Sequence, residues 1–231
     1  MIEHKLTGRV ARVTIRRPEA RNAVTGDMVR QFCEALRQAH EGADVLVFRG
    51  EGSDFTIGRD RKEPKPAGGP FEAFRMLAEA NRLLSSFPGI AIVAVQGQAH
   101  GFGVGAIMRC DIAIASEDAH FGFDEVALGF PPMFVMQEIL QHVPPKRAFD
   151  VLLSGRDFGA AEALEIGILS RVVPAGKLDA EIEALVEELS KRDPAVLRAC
   201  KRYLHEVTPM APEARGAYAL VEQTRFALAP R

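Results

Sequence analysis

The sequence predicts an α/β fold followed by a C-terminal helical region. Short apolar runs at 45–48, 90–95 and 111–115 alternate with stretches of helical periodicity, and this alternation is typical of partly parallel sheets. After residue 132 the strand signal nearly disappears and apolar residues recur at helical spacing. With 231 residues, 47% of them hydrophobic, the chain can bury one large core or two modest ones.

The first fifty residues predict a hairpin, a helix and a strand. Apolar and polar side chains alternate around a turn at Thr7-Gly8, which predicts an N-terminal hairpin. Thr25 is the predicted N-cap of a helix that ends near Gly42. The apolar face of this helix would comprise Met28, Val29, Phe32 and Leu36. The run VLVF at 45–48 predicts a buried strand.

The following segments predict a long loop, a helix and two more strands. Residues 50–70 are rich in Gly, Pro and charge, which predicts a loop of the kind that usually serves a site. A helix with Leu77 and Leu84 leads into the strand IAIVAV, and a short helix ending near Cys110 leads into DIAIA. Later helices are predicted at 145–154, 160–166, 178–191, 194–207 and 212–228, with one extended run, ILSRVV, at 168–173.

Composition argues against polyanionic partners and against membrane insertion. The formal net charge is −2, so nothing attracts nucleic acid at long range. No stretch reaches the ~18 apolar residues that a membrane span needs, and the N-terminus lacks a signal-peptide core. Cys33, Cys110 and Cys200 have no CxxC spacing and lie in apolar helical patterns. We therefore expect a cytoplasmic protein with buried, reduced thiols.

Two glycine-rich bends stand about forty residues apart, FTIGRD at Phe55–Asp60 and QGQAHGFGVG at Gln96–Gly105. Each follows an apolar, strand-like run, so each can direct a backbone N–H at the same oxygen. Glycine permits such a close approach, and a donor already in place at a developing oxyanion is worth roughly 3–4 kcal/mol. Glu125, in the segment FGFDEVALGFPP, would supply a base nearby. The pattern predicts a site that forms an enolate.

The second bend has two competing interpretations. GFGVGA fits a variant of the dinucleotide fingerprint, and Glu117 lies roughly where a ribose-binding acid would stand. The spacing disfavours this interpretation, because the glycines do not directly follow the strand and too few residues remain for a crossover helix. Glycines that merely let helices pack closely would explain this cluster taken alone.

Six segments, in order, resemble the crotonase family, also called the enoyl-CoA hydratase/isomerase family. They are RPEARNAVT, FTIGRD, IAIVAVQGQAHGFGVG, RCDIAIAS, FGFDEVALGFPP and LLSGRDFGAAEALEIGILSRVVP. The resemblance implies a crotonase-like spiral of ββα turns over residues 1–174 and a helical trimerisation region over 175–231. It also implies an acyl-CoA thioester substrate, a homotrimer or a dimer of trimers, and no metal or redox cofactor.

The same resemblance assigns roles to particular residues. The oxyanion would be held by the backbone N–H groups of Arg59 and Phe102, and Glu125 would be the catalytic base. Family members usually have glycine in place of Phe102, whose ring would narrow the approach. The remaining substrate contacts would come from Arg21, Ala23, Thr56, Ile57, Gly58, Asp60, Arg61, Gly101 and Gly103. For Arg21 and Arg61 a solvated surface charge, and for Asp60 a simple loop turn, are the alternatives.

The family's hydratases use a second glutamate, four residues after the first glycine of the second bend, and this chain has Gly105 there. The family's isomerases can work with one glutamate, which removes a C2 proton and returns it at C4. An apolar pocket would raise the pKa of Glu125 for this task. Met133 stands where dienoyl-CoA isomerases and aryl-CoA dehalogenases carry aspartate, which disfavours both reactions. Asp124 is expected to face away from Glu125, as successive strand residues do.

Three functions are consistent with these residues. The first is an enoyl-CoA isomerase with a single base. The second is an enoyl-CoA hydratase or lyase that activates water with another group. The third is a non-catalytic CoA-binding relative, which the missing glutamate and the early end at Arg231, before the family's closing helix, would explain. Retention of Glu125 and of both glycine bends favours an enzyme, and the single base favours the isomerase narrowly.

Overall fold

The computed structural model describes residues 1–64 and 68–228. Its strands are β1 (Ile2–Thr7), β2 (Val10–Ile15), β3 (Val45–Gly50), β4 (Ile90–Val95), β5 (Gln98–His100), β6 (Ile112–Ser116), β7 (His120–Gly122), β8 (Phe158–Gly159) and β9 (Arg171–Val173). Its α-helices are α1 (Gly26–Gly42), α2 (Gly69–Ser85), α3 (Phe102–Arg109), α4 (Met133–Ile139), α5 (Pro145–Ser154), α6 (Ala160–Glu165), α7 (Leu178–Ser190), α8 (Pro194–Val207) and α9 (Pro212–Leu228).

The strands form two sheets. The larger has six strands in the order β1-β2-β3-β4-β6-β9, and the smaller has three in the order β5-β7-β8. In the larger sheet β1 pairs antiparallel with β2, and every later pair is parallel. The predicted α/β fold with a helical C-terminal region is therefore confirmed. The predicted loop after β3 is described up to residue 64 and from residue 68.

The predicted start of α1 is confirmed in its local chemistry. The Thr25 side chain accepts a hydrogen bond from the Met28 backbone N–H at 3.2 Å, which satisfies one of the donors that a helix leaves open at its N-terminus. The predicted apolar face of α1 is buried against β1 and β2. The turn between these strands uses Gly8 at φ +59°, a conformation that glycine adopts without strain.

Both faces of the central strands are covered. One face and helices α1–α6 enclose the larger core. On the other face α7 packs four apolar residues against alternating side chains of β3, β4 and β6; they are Leu178, Ile182, Leu185 and Val186. Burial on both faces explains why these strands read as continuous apolar runs. The predicted boundary between two domains near residue 174 stays a prediction. Helix α7, which follows this boundary, packs on strands that precede it.

Helices α8 and α9 contain no buried residue within the described chain. Cys33 and Cys110 are buried as predicted, but Cys200 on α8 is exposed, so the expectation of three buried thiols was wrong for this one. Its helix contacts α9 and β4, but these contacts leave the Cys200 side chain exposed. Of the helices in residues 1–64 and 68–228, none is long and apolar enough to cross a lipid bilayer.

Candidate active site

An isolated parallel bridge joins the two glycine-rich bends. Thr56 pairs with Ala99, and the His100 backbone N–H donates to the Thr56 carbonyl at 3.0 Å. Gly58 follows at φ +86°, and a Cβ on it would lie 3.1 Å from the His100 carbonyl oxygen and 3.9 Å from the Phe102 nitrogen. The first bend therefore lies directly against the second, as the sequence predicts.

A second bridge orients the backbone of the first bend. Val24 pairs with Arg59: the Val24 N–H donates to the Gly58 carbonyl and the Asp60 N–H donates to the Val24 carbonyl. The intervening Arg59 N–H points the other way, because main-chain groups alternate along extended segments. Phe102 begins α3, where N–H groups have no partner within the helix. Neither N–H donates to a main-chain acceptor in the described residues, and both residues line one cavity.

Glu125 lies against the second bend. Gly101 has φ +47°, and a Cβ on it would stand 2.2 Å from Glu125 Oε1 and 3.0 Å from the carboxyl carbon. The Gly101 N–H donates to the Gly122 carbonyl at 3.1 Å, which fixes this bend to the end of β7. Glu125 immediately precedes a 3-10 turn at Val126–Leu128. Its carboxylate is thus held one residue away from Phe102, at the wall of the same cavity.

Glu125 is partly buried, and its Oε2 atom is inaccessible and lacks a hydrogen-bond partner in the part of the chain that is described. Burial raises the pKa of the Glu125 carboxyl above its usual range, and the charge of Asp124 raises it further, against an opposing effect of Arg61. A raised pKa makes this carboxylate a better proton acceptor than an exposed glutamate. It is not the salt-bridged surface glutamate that an isolated reading of the motif would suggest.

The expectation for Asp124 was wrong. β7 ends at Gly122, so Asp124 and Glu125 do not lie on a strand, and both line the cavity. Asp124 accepts a hydrogen bond from Arg61 Nη2 at 2.7 Å. Strand alternation therefore does not separate the two carboxylates, and Asp124 stands at the edge of the site with a cationic partner.

The cavity itself measures about 440 Å³ and is mainly apolar away from the two bends. Apolar lining comes from Phe74 and Leu77 of α2 and from Leu128, Phe130, Met133 and Phe134. The Phe74 and Phe130 rings stack with centroids 5.9 Å apart. This shape accommodates an acyl chain whose carbonyl group faces the bends.

A second, polar cavity of about 830 Å³ adjoins the first. The two share Ile57, Arg59, Arg61 and Asp124 as lining residues. The polar cavity also exposes Arg17, Arg21, Ala23, Asp60 and Lys62. Several of these cations already have partners, since Arg17 pairs with Asp60 at 2.6 Å and Arg21 with Asp54 at 2.9 Å. Carboxylates line this cavity as well; they are Glu19, Asp60, Asp124 and Asp157. A charged groove therefore opens into an apolar cavity at the point where the two bends meet.

Two of the predicted substrate contacts do not reach either cavity. Thr56 is fully buried and donates its hydroxyl to the Asn22 carbonyl at 2.6 Å. A Cβ on Gly103 would lie 2.6 Å from Thr56 Cγ2, so Gly103 lets α3 pack against the first bend. Both residues support the wall from behind. The other predicted residues line one or both cavities: Arg21, Ala23, Ile57, Gly58, Arg59, Asp60, Arg61, Gly101, Phe102 and Glu125.

Arg109 is a residue of the apolar cavity that the sequence analysis did not single out. Its side chain is only 3% exposed and is paired with Glu138 at 3.2 Å. Nη1 donates to the Gly105 carbonyl at 2.7 Å and Nη2 to the Phe134 carbonyl at 2.9 Å. Burial lowers the pKa of Arg109, although a guanidinium stays protonated in proteins. The sequence signal that could have identified Arg109 is its position as the one charged residue in the apolar segment GFGVGAIMR, one helical turn after Gly105.

The structure gives no support to a dinucleotide site. Glu117 lines neither cavity, and its side chain accepts a hydrogen bond from the Ala175 N–H at 3.0 Å. Among residues 1–64 and 68–228, no group of three or more His, Cys, Asp or Glu side chains is arranged to hold a metal ion.

Comparison with known proteins gives a family match over most of the chain. The family model described as enoyl-CoA hydratase/isomerase matches residues 5–225. Enoyl-CoA hydratase EchA19 of Mycobacterium tuberculosis is 32% identical over 213 residues, which cover 87% of this chain and 78% of the relative. Hydroxycinnamoyl-CoA hydratase-lyase of Pseudomonas fluorescens is 29% identical over 229 residues, covering 94% and 83%.

Solved structures share the fold over almost the whole chain. An enoyl-CoA hydratase from Mycobacterium smegmatis superposes with a TM-score of 0.90 at 25% identity and covers 99% of this chain and 91% of its own. A Thermobifida fusca structure in complex with acetoacetyl-CoA superposes with a TM-score of 0.89 at 29% identity, covering 99% and 95%. The resemblance drawn from the six sequence segments is thus confirmed.

Proposed function

This chain belongs to the enoyl-CoA hydratase/isomerase family, and on that basis we propose that it shifts the double bond of an enoyl-CoA with Glu125 as its single base. The N–H groups of Arg59 and Phe102 hold the thioester oxygen while negative charge develops on it. Glu125 removes a proton from C2 of a 3-enoyl-CoA, which gives a dienolate held by these donors. The protonated Glu125 then returns the proton to C4, and the double bond lies between C2 and C3.

The observation that carries this proposal is the asymmetry of the two walls beside the bends. On one wall Glu125 is partly buried, with an unpartnered oxygen and a raised pKa. On the other, Gly105 has no side chain, and Arg109 Nη1 lies 3.4 Å from where its Cβ would stand. A guanidinium cannot accept a proton. The site therefore has Glu125 as a proton acceptor against the second bend and a cation where a family hydratase has its other glutamate.

The proposed location of the CoA moiety is the charged groove. Arg21, Arg61 and Lys62 line it, and arginine and lysine suit phosphate recognition. The Thermobifida fusca structure binds acetoacetyl-CoA in the same fold. The groove meets the apolar cavity at Arg59, so a thioester there would have its CoA part on one side of the bends and its acyl chain on the other.

Hydration of an enoyl-CoA is the second candidate, and one observation favours it. Asp124 lies on the cavity wall beside Glu125, so a second carboxylate is within the site although not at the family's usual position. However, Arg61 is paired with this carboxylate at 2.7 Å, so one of its oxygens is already engaged by a cation. Similarity to a relative that is named an enoyl-CoA hydratase also supports this second candidate.

The test uses one pair of substrates, a 3-enoyl-CoA and a 2-enoyl-CoA of equal chain length, with isomerisation and hydration followed separately. We expect rapid isomerisation, little hydration, and a loss of about 10²–10⁴-fold in kcat for Glu125→Gln. Asp124→Asn is the matched control, because it removes the adjacent carboxylate and leaves Glu125. Efficient hydration that is lost in Asp124→Asn would replace the isomerase proposal with the hydratase. Full isomerase activity in Glu125→Gln would remove the proposed base.

We also propose that the chain assembles as a homotrimer or a dimer of trimers through its last helices. α8 and α9 bury no residue within the described chain, and their exposed apolar side chains include Leu204, Leu220, Val221 and Leu228. Apolar area of this extent on a soluble surface usually marks an interface. Sedimentation equilibrium of the purified protein tests this proposal, and a monomer at micromolar concentration would contradict it.

A further inference from the structure

Arg109 has hydrogen-bonding capacity that the protein does not use. A guanidinium carries five N–H donors. One from Nη1 goes to Gly105, while those of Nη2 go to the Phe134 carbonyl and towards Glu138. The Nε donor and the second Nη1 donor have no acceptor among residues 1–64 and 68–228. Nε is not among the fully buried side-chain atoms that lack a partner, so it keeps accessible surface for a ligand.

The guanidinium of Arg109 lies beside the part of the cavity where we propose that the acyl chain binds. Arg109 lines the apolar cavity, and its Nη1 lies against Gly105, one helical turn beyond Gly101. Four residues of helix correspond to roughly 6 Å along the axis, a span of several carbon atoms from the thioester carbonyl. Asn81 also lines the cavity, but its amide is uncharged, so Arg109 is the charged donor beside Gly105.

The charge balance indicates what kind of acceptor fits. Glu138 is itself mostly buried, with 13% of its side chain exposed, and already pairs with Arg109 at 3.2 Å. Asp124 and Glu125 also line the cavity. A carboxylate on the substrate would be the fourth beside Glu138, Asp124 and Glu125, and Arg109 is already paired with the first of these. An uncharged oxygen would accept from Arg109 without that penalty.

We propose that Arg109 determines substrate specificity by donating to an uncharged carbonyl or hydroxyl oxygen on the acyl chain, several carbons from the thioester. The inference rests on the proposed acyl-CoA function and narrows its substrate class to oxygen-substituted acyl-CoAs. A site built to donate hydrogen bonds to a substrate oxygen discriminates strongly against the analogue that lacks it.

Calorimetry with unreactive, saturated esters tests the inference apart from catalysis. The probes are pentanoyl-CoA, 4-oxopentanoyl-CoA, glutaryl-CoA and free CoA. The proteins are the wild type, Arg109→Lys, and the double variant Arg109→Met/Glu138→Gln, which removes both charges so that neither is left buried alone. We expect the wild type to bind 4-oxopentanoyl-CoA about tenfold or more tightly than pentanoyl-CoA, and the double variant to lose this preference to within about twofold. Arg109→Lys should lose most of it, and free CoA should bind all three proteins equally.

Two results would overturn the inference and leave acyl-CoA binding intact. One is equal wild-type affinity for the 4-oxo and unsubstituted esters, or a preference that survives in the double variant. The other is tightest binding of glutaryl-CoA, lost with Arg109, which would assign a carboxylate instead of an uncharged oxygen. If neither CoA nor any of the acyl-CoA esters binds, the proposed function is wrong. The inference about Arg109 is then wrong as well, because it depends on that function.

Discussion

Replacing Gly101 with alanine should disable the site by moving Glu125, with little contribution from general instability. A Cβ at this position would lie 2.2 Å from Glu125 Oε1, so the carboxylate must retreat by about 1 Å to restore ordinary contact. A displacement of about 1 Å at a reacting group can cost roughly 10²-fold in rate. We therefore expect kcat of Gly101→Ala to fall by about 10²-fold or more, with free CoA still bound.

Gly176 offers a matched control for the backbone strain of this substitution. It has φ +77°, and a Cβ on it would meet nothing within 4 Å. Placing a side chain at such a φ costs on the order of 1–3 kcal/mol, and each kcal/mol lowers Tm by roughly 2–4 °C in a chain of this size. Thermal denaturation should thus show comparable losses for Gly101→Ala and Gly176→Ala, while steady-state kinetics separates them. If Gly101→Ala turned over within about threefold of Gly176→Ala, contact between this glycine and the base would not matter for catalysis.

Three further predictions concern the support of the site. Asp124→Asn removes a charge that raises the pKa of Glu125, so the acid limb of kcat/KM should move to lower pH; a shift to higher pH would contradict this electrostatic reasoning. Gly103→Ala places a Cβ 2.6 Å from Thr56 Cγ2 and should reduce the free energy of unfolding by about 1–3 kcal/mol; urea denaturation with an unchanged midpoint would show that the bend yields easily. Glu63→Gln replaces with an uncharged amide the carboxylate that accepts from the Gly26 N–H at the start of α1. This change should lower the free energy of unfolding by about 1 kcal/mol and raise KM more than it lowers kcat. If stability and KM were both unchanged, the Glu63 carboxylate would have no part in supporting the site.

The helices of the C-terminal half could be predicted because the residues at their N-termini indicate where they begin. α5, α8 and α9 begin at Pro145, Pro194 and Pro212, and proline is favoured at the first helical position because it has no N–H to leave unsatisfied. The strands β3, β4 and β6 were likewise visible as apolar runs. β7 and β8 were missed, since they contain only three and two residues and carry too little pattern to distinguish them from loop.

The parts of the candidate site that depend on the backbone of the two bends could be predicted from the sequence. The parts that depend on side-chain contacts between distant segments were harder to predict. Gly58, Gly101 and Glu125 could be identified because their spacing in the chain follows the motif. The burial of Thr56 behind the wall and the entry of Arg109 into the cavity depend on contacts between segments distant in sequence, or on a helix face that no local pattern specifies. Asp124 was misplaced for a related reason, because the strand before it ends at Gly122.

The bridge between the two bends and the bridge from Val24 to the first bend have an evolutionary consequence. Main-chain hydrogen bonds at Thr56 and Val24 hold the backbone beside the proposed donors of Arg59 and Phe102, and every residue except proline has a main-chain N–H. Mutational drift at 59, 102 and 105 can therefore change what surrounds a bound thioester without dismantling the pair of donors. Such a scaffold would let new acyl specificities arise one substitution at a time while the ancestral means of stabilising an enolate is inherited unchanged.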